Sequence, residues 1–273
     1  MTKKKAWILL LSLSLVFILK AKENNRNIEN IFSNTRVNFD PSTHADGVNK
    51  TDSTIILGNG RIVLKKVRLP QFTRNTDLRA EITLVSNGDP WDKSGSCFVI
   101  PNQSEINMID VAANKATYPL VDSTKYENLT GIVQGPGYKP TVEIMRFMTP
   151  FGVGYYSESD NELSAKRKPV YIDGWAENVK WKEDISDLLP LFKDEVYVGV
   201  YIDTWTKEGY IIDLDISYKE SELECDIKPK RHVEPLINTV YYIGQKHPDI
   251  FARQDIDIPF TIPKNAKNVR LKY

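Results

Sequence analysis

Glu195 to Tyr218, EVYVGVYIDTWTKEGYIIDLDISY, alternates apolar and polar side chains with the period of a half-buried strand. Val196, Val198, Val200 and Ile202 form one row, and Tyr197, Tyr201, Asp203 and Trp205 form the opposite row. After Thr206-Lys207-Glu208-Gly209 the alternation resumes, with Tyr210, Ile212, Leu214, Ile216 and Tyr218 set against Ile211, Asp213, Asp215 and Ser217. The pattern predicts two long strands joined as a hairpin by a short turn. An acid and a Trp at the end of a strand, on the row that carries two Tyr, suit a sugar or another polar ligand. The competing reading is ordinary solvated edge chemistry.

Outward from this stretch the chain offers more short strands. Ser53–Leu57 and Arg61–Leu69 flank the turn Gly58-Asn59-Gly60, whose residues tolerate positive φ. Leu78–Ser86 leads into the turn Asn87-Gly88-Asp89-Pro90, and a loop from Trp91 to Ser96 leads into a strand over Cys97–Ile100. Residues 101–140 are broken by Pro and Gly, Thr141–Met148 reads as a strand, and residues 155–170 read as a solvated insertion. Trp181–Phe192 suggests one helical turn after Asp184, stopped at Pro190. Cys225–Lys230, Thr239–Ile243, Ile256–Phe260 and Val269–Leu271 are further extended candidates. Many short strands, almost no helix and loops rich in Gly and Pro predict an all-β fold, an antiparallel β-sandwich of jelly-roll type.

The 273 residues are 41% apolar and 26% charged, enough for one globular domain and a small additional unit. The 36 basic residues are balanced by 36 acidic ones, which argues against nucleic acid as a partner. Three Lys precede the apolar run Trp7–Leu19, which is too short for a stable membrane span. Residues 1–21 therefore read as a signal peptide, and the protein as exported to the periplasm or the extracellular space. Residues 22–52, rich in Asn, Ser and Asp, read as an extension or linker. Cys97 and Cys225 leave open whether they pair. Three scattered His and no CxxC or HExxH pattern give no metal site, and no cofactor is implied.

Four segments, in order, carry a resemblance. They are Trp91-Asp92-Lys93, the run Glu143-Ile144-Met145-Arg146-Phe147-Met148-Thr149-Pro150, the turn Asp184-Ile185-Ser186-Asp187, and Asp203-Thr204-Trp205 followed by Gly209. Together they make the chain resemble the bacterial peptide-N-glycosidase F family, amidases that release N-linked glycans from asparagine. The resemblance implies an amino-terminal jelly roll over residues 53–228. It further implies that residues 229–273 are a linker and the start of a second jelly-roll domain, truncated here. N-linked glycans or glycopeptides are the implied partners.

By the same resemblance Asp92 and Asp203 are the catalytic acids of this domain, and Trp91, Lys93 and Trp205 bind substrate. Asp92 stands where the family keeps the carboxylate that activates water. Lys93 stands where the family has Arg and lacks the planar fork. Asp203 stands where the family has Glu and reaches one methylene less far. The family's second catalytic Glu belongs to the second jelly roll. Two readings follow: a glycosylasparagine amidase, or a non-catalytic glycan-binding or structural β-sandwich. Read without the resemblance, Asp92 fits an Asx-type turn cap and Trp205 a core aromatic equally well.

Overall fold

The computed structural model describes residues 26–89, 91–124, 129–150, 178–227, 229–240, 250–253 and 255–272. Among them ten strands build two antiparallel sheets packed face to face. The strands are β1 (Asn27–Val37), β2 (Asn49–Thr51), β3 (Thr54–Leu57), β4 (Ile62–Arg68), β5 (Thr76–Ser86), β6 (Ser94–Ile100), β7 (Val142–Met148), β8 (Asn178–Asp184), β9 (Glu195–Ile202) and β10 (Tyr210–Glu220). One sheet has the order β1-β10-β5-β8 and the other β2-β3-β4-β9-β6-β7. This is an all-β, antiparallel jelly-roll sandwich.

The strands of Glu195–Tyr218 form where the alternation puts them, but they do not pair with each other. β9 lies between β4 and β6, whereas β10 lies between β1 and β5 in the opposite sheet. The hairpin expectation is therefore corrected to a crossing from one sheet to the other. The reason is burial. The row Val196, Val198, Val200, Ile202 and the row Tyr210, Ile212, Leu214, Ile216 are all at most 3% exposed, and they face each other across the interior. In a hairpin both rows would lie on one face of one sheet and would need a third layer to cover them. Alternation specifies which side chains point inward; it does not specify which strand lies alongside.

The outward row of β9 is also partly covered. Tyr197 and Tyr201 pack against a second cluster of Ile55, Leu57, Ile62, Leu64, Phe98, Ile100, Met108 and Val240. A short helix, Met108–Ala112, capped by the Asn107 side chain, brings Met108 to this cluster. Beyond these two Tyr the row ends with Asp203, half-buried, and Trp205, exposed.

Residues 27–37 correct the expectation of a linker over 22–52. β1 pairs with β10 from Asn27↔Tyr218 to Val37↔Tyr210, with register shifts between Asn30 and Phe32 and between Phe32 and Thr35. These irregularities let the adjacent Ile31 and Phe32 both be buried, at 1% and 2% exposure. A strand that breaks its own period of two hides from pattern reading. Burying Phe32 alone contributes about 2–3 kcal/mol.

Trp181 lies in β8, and its ring stacks on Phe147 with centroids 4.9 Å apart. The 3-10 turn Ser186–Phe192 starts after Asp184 and continues through Pro190, burying Leu188, Leu189, Leu191 and Phe192. The segment is 3-10 rather than α-helical, and Pro190 is accommodated inside it. Residues 237–240 strap onto the sandwich. Ile237 bridges to Val133, Asn238 N–H donates to the Ile132 carbonyl, and Arg146 donates to the Thr239 carbonyl. Among residues 250–253 and 255–272 there is a single turn of helix, Ile250–Arg253, and Ile256–Phe260 and Val269–Leu271 are not strands. Ile227 makes an isolated bridge to Arg74. Cys97 is buried, Cys225 is exposed, and both are free thiols. The expectations for residues 1–21 and 155–170, and for 241–243, lie outside the described residues.

Candidate functional site

Two loops meet at one end of the sandwich. The first, residues 87–93, runs from β5 to β6; the second, residues 203–209, is the crossing from β9 to β10. Because Gly95 of β6 pairs with Ile202 of β9, the start of one strand lies beside the end of the other. The ladder continues one step further: Asp203 N–H donates to the Ser94 carbonyl at 2.9 Å. Asp203 is thus docked two residues from Asp92, and the two acids expected to be catalytic occupy the same end of the same sheet.

Asp92 is exposed, and among the described residues its carboxylate takes no hydrogen bond or ion pair. The turn-cap reading of that side chain therefore has no bond behind it. Its neighbours are fixed instead. The Trp91 carbonyl accepts from the Tyr210 hydroxyl, and Lys93 N–H donates to the Thr149 hydroxyl at 2.7 Å. Thr149 N–H returns a bond to the Lys93 carbonyl at 2.8 Å. Burial, together with the charges of Asp89 and Asp92, pushes the Tyr210 phenol far above its ordinary value. The phenol stays neutral and donates.

Asp89 performs the cap that was expected of Asp92. One carboxylate oxygen accepts from Trp91 N–H at 3.0 Å and the other from the Thr204 hydroxyl at 2.6 Å. Asp89 and Thr204 are both fully buried. Burial pushes the Asp89 carboxyl up, against the hydrogen bonds from Thr204 and Trp91 and the more distant charge of Lys93, which pull it down.

The second loop presents an aromatic and an acid held together. Trp205 Nε1 donates to the Asp203 carboxylate at 3.1 Å, and Arg61 Nη1 lies 3.8 Å from the same carboxylate. The Arg61 guanidinium sits 4.4 Å from the Trp205 ring centre and 5.2 Å from that of Phe39. Arg61 is 6% exposed, whereas Trp205 is 59% exposed. The cation therefore backs one face of the indole and leaves the other open. Trp205 is a rim residue, not a core aromatic. Trp91, 43% exposed, lies on the first loop, and Lys93 is half-buried beside it.

All five residues singled out from the sequence, Trp91, Asp92, Lys93, Asp203 and Trp205, belong to these two joined loops. The residues that hold them were missed: Asp89, Thr204, Tyr210, Thr149, Arg61 and Phe39. Asp89 was readable only as part of a turn, and Thr149 only as part of the Glu143–Pro150 run. Phe39 lies inside the segment read as an extension or linker. Arg146, by contrast, binds Glu143 at 2.7 Å, the structural ion pair its place in a strand suggests. The described residues contain no group of His, Cys, Asp and Glu able to hold a metal ion, and no helix long and apolar enough to cross a membrane.

The fold and these two loops define an antiparallel jelly-roll domain that gathers acids and aromatics at one end. Comparison with known proteins narrows the class. The family of the peptide-N-glycosidase F N-terminal domain matches residues 28–218, and the chain belongs to that family. Among solved structures it is similar to PNGF-II in two crystal forms. The first has 26% identity and a TM-score of 0.66, over 87% of this chain and 42% of that one. The second has 26% identity and a TM-score of 0.63, over 83% and 39%. PNGase F, a glycosylasparaginase from Flavobacterium meningosepticum, aligns more distantly, at 12% identity and a TM-score of 0.41 over 73% of this chain and 43% of that one. The chain thus spans less than half the length of these three solved structures. A search of curated proteins returns no match.

Proposed function

We propose that the chain is the amino-terminal part of an exported glycosylasparagine amidase acting on N-glycosylated peptides. The observation that carries this reading is the bond from Asp203 N–H to the Ser94 carbonyl, which holds Asp203 and Trp205 beside the Asp92 loop. In this mechanism the Asp92 carboxylate takes a proton from water as the water oxygen attacks the side-chain amide carbon of the glycosylated Asn. The C–N bond then breaks, the proton passes to the departing nitrogen, and the products are an aspartyl peptide and a glycosylamine. The open face of Trp205 stacks on the apolar face of the sugar next to the amide. Lys93 and Trp91 contact the polar groups around the scissile bond, and Asp203 faces the substrate from the opposite loop. No cofactor enters.

The remaining carboxylate of the reaction is assigned to a second jelly roll that packs against this one. Residues 1–21 are assigned to export, to the periplasm or beyond the cell. A second reading, a glycan-binding domain without catalysis, draws support from the Asp203 carboxylate, which is already engaged by Trp205 and Arg61.

Release of glycan from an N-glycopeptide by the chain, compared with Asp92→Asn, tests the proposal. Release that disappears in Asp92→Asn supports the amidase. Glycopeptide binding with no release, measured with the second jelly roll present, supports the binding domain, and neither binding nor release rejects both.

A further inference from the structure

Asp89 has no part in the chemistry proposed above, yet among the described residues it is the only fully buried acidic side chain. A carboxylate taken out of water is costly unless its lone pairs are satisfied. Here a cation would have been the simplest remedy, and none of the described residues forms an ion pair with it. Its oxygens are divided instead between the two loops. Oδ1 takes Trp91 N–H, next to Asp92, and Oδ2 takes the Thr204 hydroxyl, between Asp203 and Trp205.

The surroundings tighten the same knot. Asn87 N–H donates to the Gly209 carbonyl at 2.9 Å, and the Asn87 side chain donates to the Glu208 carbonyl at 2.9 Å. Thr206 N–H turns back to the Thr204 hydroxyl at 3.3 Å, and the Ser86 hydroxyl donates to the Asp89 carbonyl at 3.0 Å. Each of these bonds fixes one loop by itself or pins the outer ends of both. The Asp89–Thr204 bond links the loops through side chains at the level of the proposed reacting groups. Thr204 is the residue flanked by the two rim side chains, so a shift of its hydroxyl carries both of them.

We infer that Asp89 and Thr204 form a buried clasp that sets the Asp92 loop against the Asp203–Trp205 loop, which makes Asp89 a positioning residue for the carboxylate at 92. The functional consequence rests on the amidase reading; the clasp itself does not. Thr204→Val keeps the shape of the side chain and removes the hydroxyl, and Thr204→Ser restores it.

Backbone hydrogen exchange of the full chain reads the clasp directly. In Thr204→Val the Trp91 amide is expected to exchange about tenfold faster, the size set by one lost hydrogen bond. The amides of Val198 and Ile212 in the sheets are expected to keep their protection, and Thr204→Ser to recover the parent pattern. With an N-glycopeptide, Thr204→Val is expected to lower kcat on the order of 100-fold with KM within about twofold, as displacement of a reacting group by ~1 Å does. Unchanged exchange at Trp91 overturns the clasp. So does an equal rise at Val198 and Ile212, which would mean a purely structural role. A parent chain that neither binds nor cleaves the glycopeptide overturns the amidase reading and leaves the exchange result to decide the clasp alone.

Discussion

The guanidinium of Arg61 lies 4.4 Å from the ring centre of Trp205 and covers one face of the indole. Phe39 closes the side of this stack, its ring 5.1 Å from that of Trp205. A Trp that is 59% exposed would ordinarily sample several rotamers; this one is backed by a buried cation and bonded through Nε1 to Asp203. A fixed ring loses less entropy when a sugar stacks on it.

Arg61→Met keeps the aliphatic stem and removes the charge. Loss of a cation–π contact worth about 0.5–1 kcal/mol frees the ring, and affinity for an N-glycan core fragment is expected to fall about two- to fivefold. Tryptophan fluorescence titration measures it. Affinity equal to that of the parent would show that Trp205 is not the platform.

Asp203 stands between two roles, and two substitutions separate them. Asp203→Asn leaves an oxygen for Trp205 Nε1 and removes the charge that faces Arg61. Asp203→Ala removes both. If the residue mainly holds Trp205, Asp203→Asn binds glycan within about twofold of the parent and Asp203→Ala binds about fivefold more weakly, the worth of one charge-assisted bond at a half-exposed site. If its charge acts on substrate, the two variants lose glycan release alike. Binding and release measured on both variants distinguish the outcomes.

How the chain could be read in advance depended on periodicity. β9 and β10 were legible because Val196–Ile202 and Tyr210–Ile216 alternate without interruption. Their placement in opposite sheets was not, because alternation is blind to partner choice. β1 was illegible because its register shifts put Ile31 and Phe32 side by side in the core, in a segment otherwise full of Asn and Ser. At the site, Asp203 and Trp205 stood out as an acid and an aromatic at the end of an alternating strand, whereas Asp92 was found only through a family pattern. Asp89 and Thr204 were passed over because burial by distant loops leaves no local trace. A turn Asp looks the same whether it faces water or a Thr more than a hundred residues away.

The link between β1's entry and β5 has a definite pH signature. Arg26 donates to the Asp77 carboxylate at 3.2 Å and pairs with it at 2.9 Å, and Arg79 adds an ion pair at 3.0 Å. Partial burial pushes the Asp77 carboxyl up, but the bonds and charges of Arg26 and Arg79 outweigh it and hold the group below its ordinary value. A carboxyl lowered in the folded state stabilises the fold above its unfolded value of about 3.9, and that contribution is lost as the pH falls through the folded value. Asp77→Asn is therefore expected to be less stable than the parent at pH 7 by about 1 kcal/mol or less, given the solvent screening of a half-exposed pair. The gap should close below about pH 4. Urea midpoints measured between pH 2 and 7 test this, and a gap that persists at the acid end would remove the ion pair as its source.

Gly209 closes the crossing between the sheets, and its backbone has φ +59. A Cβ there would stand 2.2 Å from the Val37 carbonyl oxygen and 2.7 Å from the Asn38 Cα. Both obstacles are backbone, so neither can swing aside as a side-chain tip would. Gly209 also accepts the Asn87 amide, so any displacement pulls on the loop that carries Asp92. Gly209→Ala thus combines left-handed strain with a backbone clash, and the expected loss of stability is about 2–4 kcal/mol. Because Val37 ends β1 and Tyr210 begins β10, the damage should start where these strands meet: the amides of 35–37 and 210–212 should exchange faster than those of β4 and β9. Urea denaturation gives the magnitude and hydrogen exchange the location. A variant as stable as the parent would mean that the crossing accommodates a side chain, and that its close approach to β1 is not what holds the two loops in register.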